Sequence, residues 1–355
     1  MEECCAWGEP PLSGRLRVEP EDFVVEEELG FRPDGVGTHL LLRVEKRGAN
    51  TGWVATELAR AARCAPRDVG WSGRKDRRAV ARQWFSLPWP VAAATTEAES
   101  WAGEGYRVLE ASRHGRKLRP GSHRANRFRL RIRDAAADRA ALEARIALIA
   151  ANGVPNYFGP QRYGREGSNL VRAREWAQGG AAPRDRTQRV FALSTARSEL
   201  FNRVVSERVR RGDWNRLLPG EAVMLDGRRS WFRADAIDEA LAARCAAQDL
   251  HPSGPLCGRG DDGPAGEALA VEAAAIAAEP GLRELLVSQG LEAERRSLRV
   301  PVRNLEWSLD GTDFHIAFEL PRGAFATAVL HELLAGAWSE PDSSIVSPDF
   351  GGPET

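Results

Sequence analysis

The sequence lacks the patterns that mark metal, nucleotide and disulfide chemistry. Its five cysteines include no C-x-x-C pair, which argues against both a zinc site and a disulfide framework. The six histidines show no H-E-x-x-H or other paired ligand spacing, no G-x-G-x-x-G follows a strand-like run, and no P-loop occurs. We therefore expect neither a metal nor a cofactor, so that any chemistry rests on the side chains alone.

Long apolar runs are missing as well. No uninterrupted apolar segment approaches the roughly 20 residues that a membrane-spanning helix requires. The start of the chain, Met1-Glu2-Glu3-Cys4-Cys5, has neither the basic stretch nor the apolar core of a secretory signal. We expect a soluble, cytoplasmic protein that does not bind membranes and that works as a monomer.

An excess of charge is absent too, because 50 basic residues balance 50 acidic ones. Zero net charge by itself counts against a nucleic-acid-binding protein, since neutralising phosphates supplies most of the non-specific affinity. The charges are nevertheless segregated along the chain. Residues 111–133, called the basic stretch below, contain no acid and carry Arg113, Arg116, Lys117, Arg119, Arg124, Arg127, Arg129, Arg131 and Arg133. This segregation predicts one face for a polyanion.

Strand-like runs and helices alternate at uneven spacing, without the regular βαβ repeat of a doubly wound sheet. Residues 39–45 alternate at period two, whereas residues 195–211 carry apolar side chains at helical spacing. A hairpin is predicted within 304–320, and a final helix runs from Ala324 to about Trp338. The pattern predicts an α+β fold around a mixed sheet.

The middle of the chain differs in character from its two ends. After Val154 the pattern becomes helix-rich, with a turn-rich loop at 249–258, and strands return near residue 304. A length of 355 residues favours two domains, or one domain with a large insertion. We interpret residues 1–153 and 304–355 as one sheet domain, interrupted by an insertion at 154–303.

The first candidate for chemistry is Asp76, in the run Gly73-Arg74-Lys75-Asp76-Arg77-Arg78. Four cationic side chains flank it, and nearby positive charge favours the ionised form of a carboxyl group. Such a carboxylate is suited to act as a nucleophile or a base. The alternative is a solvated turn in which Asp76 only neutralises its neighbours, and local sequence alone favours this alternative.

The second candidate is the strand-like run 126–133. Period-two geometry directs Asn126, Phe128, Leu130 and Ile132 to one face and four arginines to the other. An amide and an aromatic ring on one face are suited to hydrogen-bond and stack a flipped-out base. For Phe128 taken alone, a place in the hydrophobic core is the better interpretation.

A third candidate is the loop 156–164, in which aromatic residues, two glycines and Arg162 occur together. Tyrosine and arginine in such a loop are able to contact RNA. The same composition is more typical of packing at a domain junction.

In combination, these segments resemble the TruD family of tRNA pseudouridine synthases. The matching pieces occur in the family's order and cover nearly the whole chain: Pro20-Glu21-Asp22-Phe23-Val24-Val25, Ser72-Gly73-Arg74-Lys75-Asp76, Lys117-Leu118-Arg119, Asn126-x-Phe128, Asn156-Tyr157-Phe158-Gly159-Pro160-Gln161-Arg162-Tyr163-Gly164, Leu217-Leu218-Pro219-Gly220-Glu221, His251-Pro252-Ser253-Gly254-Pro255-Leu256 and Phe325-Ala326-Thr327. Chance agreement over so many ordered segments is implausible.

The resemblance implies a fold, an activity and a set of site residues. The fold is a pseudouridine synthase catalytic domain of permuted strand order, split by a family-specific α/β insertion, here at 154–303. The activity is isomerisation of uridine 13 in tRNA without a cofactor, so tRNA is the expected partner. The family's motifs imply that Asp76 is catalytic and that Phe23, Asn126 and Phe128 line the uridine site.

Two further residues belong to the expected site, and a few positions depart from the family pattern. Arg17 stands where the family usually has lysine, and we expect it to pair with Asp76, since arginine keeps the charge and can bind a carboxylate through two nitrogens. Lys75, beside the aspartate, is grouped with the substrate-binding residues. Ala81 replaces a frequent threonine, which removes a hydroxyl contact, and Tyr163 stands where phenylalanine is common.

Two other functions remain open from the sequence. A non-catalytic RNA-binding protein of this fold is expected to lack the aspartate at position 76, which is present. A tRNA methyltransferase requires a cofactor loop, and none is visible in the sequence.

Overall fold

The structure, a computed structural model, describes residues 3–260 and 263–336. The strands in these ranges are β1 (Leu12–Leu16), β2 (Phe23–Glu28), β3 (His39–Arg47), β4 (Gly70–Trp71), β5 (Val80–Pro88), β6 (Ala102–Gly103), β7 (Tyr106–His114), β8 (Ala125–Ala137), β9 (Val154–Pro155), β10 (Glu221–Leu225), β11 (Trp231–Ala234), β12 (Leu250–His251), β13 (Ser253–Leu256), β14 (Glu294–Ser297), β15 (Arg299–Val300), β16 (Arg303–Asp310) and β17 (Asp313–Pro321). The helices are α1 (Thr51–Ala61), α2 (Thr96–Glu99), α3 (Arg139–Asn152), α4 (Ser168–Ala177), α5 (Arg186–Arg211), α6 (Glu239–Ala246), α7 (Gly266–Ile276), α8 (Pro280–Ser288) and α9 (Ala326–Leu333).

Ten of these strands form one large sheet in the order β16-β17-β8-β2-β5-β3-β7-β6, with β1 beside β8 and β4 beside β5. The pairing of β2 with β5 is parallel, and the other pairings in this sheet are antiparallel. The predicted α+β fold around a mixed sheet is therefore confirmed. All ten strands come from residues 12–137 and 303–321.

Helices cover one face of the large sheet, and the alternation along the strands decides which residues they bury. Leu40 and Leu42 of β3 lie in a hydrophobic cluster with α1, because side chains two residues apart share a face. Phe128 and Leu130 of β8 lie in a second cluster with α3 and α9. The two clusters occupy different parts of the sheet, which leaves room for other groups between them.

Ion pairs between neighbouring strands line the opposite face. Arg82 Nε donates to Glu45 Oε2 at 2.9 Å, and Arg107 Nη2 lies 2.7 Å from the second oxygen of the same carboxylate. Arg43 pairs with Glu26 on that face as well. These partly exposed ion pairs thus lie on the face opposite the helix-packed clusters, as the period-two pattern predicts.

The chain leaves the large sheet after α3 and returns to it through a neck of two short strands. Strands β9 and β15 pair antiparallel, with Val154 opposite Val300. Gly153, just before the neck, has a φ of +74°, and a Cβ there would lie 2.3 Å from the Val300 carbonyl oxygen. Both the conformation and the close approach therefore require glycine. Helices α4 to α8 lie between the two neck strands in the sequence, and on this basis we propose that residues 154–303 form the insertion.

Two local features differ from the sequence predictions. The loop expected at 249–258 contains β12 and β13, which pair with β10 and β14. Its glycine and prolines are typical of turns, and its strand partner at 294–297 is too distant in sequence to be foreseen. The last helix ends at Leu333, and its predicted end near Trp338 lies outside the described residues. Of the helices described, none is at once long and apolar enough to cross a membrane.

A buried ion pair ties the long helix α5 to β10. Arg208 Nη1 donates to Glu221 Oε2 at 3.0 Å, and both side chains are 1% exposed. The same guanidinium group donates to Asp213 Oδ1 at 2.6 Å and to the Arg216 carbonyl at 2.7 Å. Because every nitrogen of the group has a partner, the buried charge is compensated.

We expect Arg208→Met to lower the free energy of unfolding by about 3–5 kcal/mol, because the Glu221 carboxylate would remain buried without its cation. Urea denaturation followed by circular dichroism measures this change. Arg210→Met is the control, since the Arg210 side chain is 48% exposed and pairs on the helix surface, where loss of an ion pair costs about 0–1 kcal/mol. Equal effects of the two substitutions would contradict the assignment.

Candidate active site

A row of polar side chains lies on the helix-covered face of the large sheet. Glu27 of β2 is opposite Asn126 of β8. On the other side of β2, Val25 is opposite Ala81 of β5, so Gln83, two residues further along, points to the same face as Glu27. Asn126, Glu27 and Gln83 are 7%, 3% and 0% exposed. Buried polar groups require hydrogen-bond partners, and a loop supplies them here.

The loop of residues 73–78, called the Asp76 loop below, connects β4 to β5 and rests on this row. Lys75 Nζ donates to Asn126 Oδ1 at 2.7 Å and lies 2.8 Å from Glu27 Oε2. The Lys75 side chain is 6% exposed and the Glu27 side chain is fully buried. Lys75 therefore fixes the loop from its inner side and orients the amide of Asn126.

The start of α1 adds two contacts to the Asp76 loop. Thr51 Oγ1 accepts a hydrogen bond from the Lys75 backbone N–H at 3.1 Å and donates to Gln83 Oε1 at 2.9 Å. Gln83 Nε2 in turn donates to the Gly73 carbonyl at 3.1 Å. Asn50, and not Thr51, occupies the N-cap position of α1. The Thr51 hydroxyl is used to hold the loop instead.

Lys46 supports the loop from beneath. The residue is fully buried, and its Nζ donates to the carbonyls of Ala49 at 3.0 Å, Lys75 at 3.1 Å and Asp76 at 2.8 Å. These three acceptors use all three donors of an ammonium group. Burial lowers the pKa of Lys46 to about 8, and the nearby Asp76 partly opposes this effect. The ammonium is thus held mainly by carbonyl oxygens of the loop that it positions.

The carboxylate of Asp76 projects from the fixed loop and stays accessible. Its Oδ1 accepts a hydrogen bond from the Arg78 backbone N–H at 3.0 Å, and its Oδ2 lies 3.4 Å from Arg17 Nη2. The side chain is 32% exposed. One oxygen is therefore fixed by the loop itself, while the other faces a cation and solvent.

Arg17 reaches Asp76 from an unusual backbone conformation. Its φ is +60°, a left-handed conformation that costs a non-glycine residue about 1–3 kcal/mol. The guanidinium carbon lies 4.3 Å from the centroid of the Phe23 ring, and this cation–π contact helps to hold the side chain. Burial lowers the pKa of Arg17, whereas the charge of Asp76 raises it. The strained turn, the ring and the carboxylate thus determine one position for the guanidinium group.

The aromatic residues expected at the uridine site lie in the hydrophobic core. Phe23 and Phe128 are 4% and 6% exposed, and their rings meet edge to face with centroids 6.0 Å apart. A base stacked between two rings needs about 7 Å between parallel planes, so these rings leave no space for one between them. Phe128 packs against Phe318 as well. Phe128 therefore lies in the hydrophobic core, which was the better interpretation of this residue taken alone. A base can contact only the small exposed portions of the two rings.

The basic stretch spans β7, a loop and β8, and part of its charge is neutralised by distant acids. Arg131 Nε donates to Asp313 Oδ2 at 2.7 Å, because β17 lies beside β8. Arg133 lies 3.0 Å from Asp22 Oδ1. The stretch is free of acids in sequence but not in space. Its exposed arginines with no salt bridge to a described residue are Arg116, Arg119, Arg127 and Arg129.

One group of side chains within the described residues has metal-ligand chemistry. Single ligand atoms of Cys5, His331 and Glu332 lie within 4.8 Å of one another. Both Glu332 oxygens, however, accept hydrogen bonds from the Ala6 N–H, at 2.9 and 3.1 Å, and Arg145 Nη1 lies 3.9 Å away. Burial raises the pKa of Glu332 to about 7. The carboxylate anchors the start of the chain, and the neighbouring arginine opposes cation binding.

Sequence reasoning missed the residues that hold the Asp76 loop in place. Lys46, Glu27, Gln83 and Thr51 were not predicted to belong to the site. A usable signal exists, because Lys46 continues the inward phase of Leu40, Leu42 and Val44. A lysine in a buried phase of a strand requires an internal partner.

Comparisons with known proteins agree on one family. The family model described as tRNA pseudouridine synthase D (TruD) matches residues 2–179 and 168–333. The tRNA pseudouridine synthase D of Methylococcus capsulatus is 46% identical over 330 residues, covering 93% of each chain. The protein of the same name from Nitrosococcus oceani is 46% identical over 332 residues, covering 92% of each chain. In fold, the chain is similar to a crystal structure described as a candidate TruD of Methanosarcina mazei, with a TM-score of 0.69 at 20% identity, covering 93% of this chain and 95% of that one.

We expect Lys46→Met to loosen the Asp76 loop. Three hydrogen bonds from a charged donor would be removed, each contributing about 1.5–3 kcal/mol, so amide exchange at Lys75 and Arg78 should accelerate about tenfold or more. Hydrogen–deuterium exchange with peptide-level mass spectrometry measures this rate.

The matched control is Lys117→Met. Lys117 Nζ also donates to a backbone carbonyl, that of Arg67 at 2.6 Å, but this bond is exposed and its acceptor lies outside the Asp76 loop. This variant should leave exchange in residues 73–78 unchanged. If the loop of the Lys46 variant exchanges at the rate of the unsubstituted chain, the supporting role of Lys46 is wrong.

Proposed function

Because the chain belongs to the TruD family of tRNA pseudouridine synthases, it is an isomerase that modifies tRNA, and we propose that it converts uridine 13 with Asp76 as the essential carboxylate. The family membership confirms the resemblance read from the sequence. The target position and the residue roles go beyond it and are argued from the site.

The reaction needs a positioned carboxylate more than any other group. Pseudouridylation breaks the N1–C1′ bond of uridine, turns the base and rejoins it to the sugar through C5, while one proton leaves C5 and N1 gains one. Atoms and electrons balance within the nucleoside, so no co-reactant is consumed. A carboxylate can act by attacking the sugar or the base, or by removing a sugar proton. Asp76 is available for each of these steps, because its side chain is accessible while its backbone is fixed.

The observation that carries the proposal is the support of the Asp76 loop. Four side chains, Lys46, Thr51, Lys75 and Gln83, bind the backbone of the loop or tie it to the sheet. A solvated turn, the alternative interpretation of this run, requires no such buried network. Preorganisation of this kind is expected where a reacting group must be held in one place.

The other predicted residues take roles around this carboxylate. Arg17 keeps Asp76 oriented, and Asn126 presents its amide at the uridine site. Phe23 and Phe128 support the extruded base from the core rather than enclosing it. The ammonium group of Lys75 is buried, so Lys75 contributes to the substrate site indirectly, by orienting the amide of Asn126.

We expect Asp76→Asn to abolish pseudouridine formation, with a loss of at least about 10²-fold in rate, while tRNA affinity is retained. The amide is nearly isosteric but cannot act as a nucleophile or base. Mapping pseudouridine after incubation with unmodified tRNA, beside a filter-binding titration, measures both properties.

The control for this substitution is Asp134→Asn, since Asp134 pairs with Arg15 on the surface, where both side chains are more than half exposed. Full activity of the Asp76 variant would refute the assignment. Absence of pseudouridine from the unsubstituted protein, with tRNA binding intact, would favour a non-catalytic RNA-binding protein, whereas a methylated product would favour a methyltransferase.

The exposed part of the basic stretch is proposed to bind the tRNA backbone. Replacing Arg116 and Arg119 with alanine should reduce the slope of log affinity against log salt concentration by roughly one unit for each phosphate that the variant no longer neutralises. The control is Arg131→Ala, whose charge is already paired with Asp313 and should contribute less. An unchanged slope in the double variant would show that this surface is only hydrated.

A further inference from the structure

Two arginine side chains lie against one aromatic ring beside the neck of the insertion. Arg296 Cζ is 4.3 Å from the centroid of the Phe158 ring, and Arg162 Cζ is 5.0 Å from the same centroid. Phe158 is 6% exposed, whereas both arginines are partly exposed. Burial lowers the pKa of Arg296, and the charge of Arg162 lowers it further, so an anion bound beside the two guanidinium groups would be stabilised by both.

Neither of the two groups that orient Arg296 is acidic; one lies in the proposed insertion and the other in the proposed sheet domain. Its Nη2 donates to Asn156 Oδ1 at 2.6 Å and to the Gly323 carbonyl at 3.3 Å. Its Nε is buried and has no hydrogen-bond partner among the described residues. Its remaining contacts there are with aromatic rings. Asn156 is fixed in turn, because its Nδ2 donates to the Ser297 carbonyl at 2.7 Å.

Arg295, the residue before Arg296 on β14, is a buried arginine whose charge is compensated by an acidic side chain. Arg295 Nη1 donates to Glu272 Oε2 at 2.9 Å, and the two side chains are 2% and 5% exposed. Among the described residues, Arg296 has no such partner. Burial lowers its pKa to about 9, and the charge of Arg162 acts in the same direction. Within residues 3–260 and 263–336, a guanidinium group without an acidic partner thus lies next to one that has an acidic partner.

The guanidinium group of Arg296 lies near the end of the large sheet that carries Asn126, on which the Asp76 loop rests. Strand β17 ends at Pro321, opposite Ala125, and Asn126 follows Ala125. Gly323 lies two residues beyond the strand end, so it is within about 15 Å of Asn126. Arg296 thus faces the end of the sheet that carries the proposed uridine site.

We propose that Arg296, with Arg162 beside it on Phe158, binds a phosphate group of the tRNA strand next to the target uridine. This proposal rests on the proposed function, since it takes tRNA as the substrate. A guanidinium group is planar and can bind two phosphate oxygens at once, and phosphate supplies a negative charge that Arg296 does not receive from any described residue. Fixing the backbone beside an extruded nucleotide would determine which uridine reaches Asp76.

The test measures tRNA binding apart from chemistry. In an Asp76→Asn background, affinity for an unmodified tRNA transcript is titrated over a range of KCl concentrations with Arg296 intact and with Arg296→Met. We expect the second substitution to weaken binding about tenfold or more and to lower the salt slope by roughly 0.7–0.9. The melting temperature of each variant is recorded, because Arg296 also connects the insertion to Gly323.

The control is Arg244→Met, which removes an exposed arginine of the insertion that is already paired with Asp249 at 2.7 Å, and it should change neither quantity. If Arg296→Met does not fold, Arg296→Gln takes its place, because glutamine is able to keep one hydrogen bond to Asn156. A folded variant with unchanged affinity and slope overturns the proposal, whatever its melting temperature.

A second measurement identifies the ligand as a phosphate group. Transcripts carrying one neutral methylphosphonate linkage at successive positions around the target uridine are compared with and without Arg296→Met. At the contacted position, the neutral linkage should itself weaken binding, and the substitution should then cause no further loss. Full additivity at every position would overturn the proposal. If the intact protein binds tRNA but makes no pseudouridine, the proposed function is wrong, and the binding measurements still test the role of Arg296. If the intact protein binds no tRNA, the proposed function and the role of Arg296 are both wrong.

Discussion

The interaction on which the site depends is the one between the buried ammonium of Lys46 and three backbone carbonyls, two of which belong to the Asp76 loop. A loop has few internal hydrogen bonds, so its shape over a sheet must come from groups outside it. An ammonium removed from water is costly unless carbonyl or carboxylate oxygens surround it. Lysine and loop therefore require each other: the loop completes the coordination of the charge, and the charge determines where the Asp76 backbone lies.

The fold makes this support possible by bringing distant residues onto adjacent strands. Glu27, Gln83 and Asn126 come from β2, β5 and β8, which are neighbours in the middle of the large sheet. The β2–β5 pair is parallel, so the chain between them has to cross over, and the Asp76 loop is the last part of that crossover before β5 begins. The loop then lies above the polar row and between the helix groups that cover the rest of the face.

Period-two alternation was sufficient to predict the strands at 39–45 and 126–133 and the hairpin near the end of the chain, because these patterns are local. The mixed sheet was predicted from the uneven spacing of strands and helices along the chain. The support of Asp76 was not predictable in this way. Lys46 is in phase with buried leucines, but two of its three acceptors are carbonyl groups some thirty positions away. The partners of the basic stretch could not be predicted from local sequence either. Arg131 belongs to a stretch that contains no acid, and Asp313 pairs with it only because β17 lies beside β8.

The two adjacent arginines on β14 differ in whether an acidic side chain compensates their charge. Arg295 has a buried carboxylate partner, whereas Arg296 lies between an amide, a carbonyl and aromatic rings. Stability alone would favour an acid beside the second arginine, or an apolar residue in its place, since a half-buried charge without an acidic partner is destabilising. Uncompensated groups in natural proteins concentrate at functional sites. Arg296 donates to the Gly323 carbonyl just beyond the end of β17. Residues 154–303, the proposed insertion, thus contribute positive charge to the end of the sheet where the Asp76 loop begins.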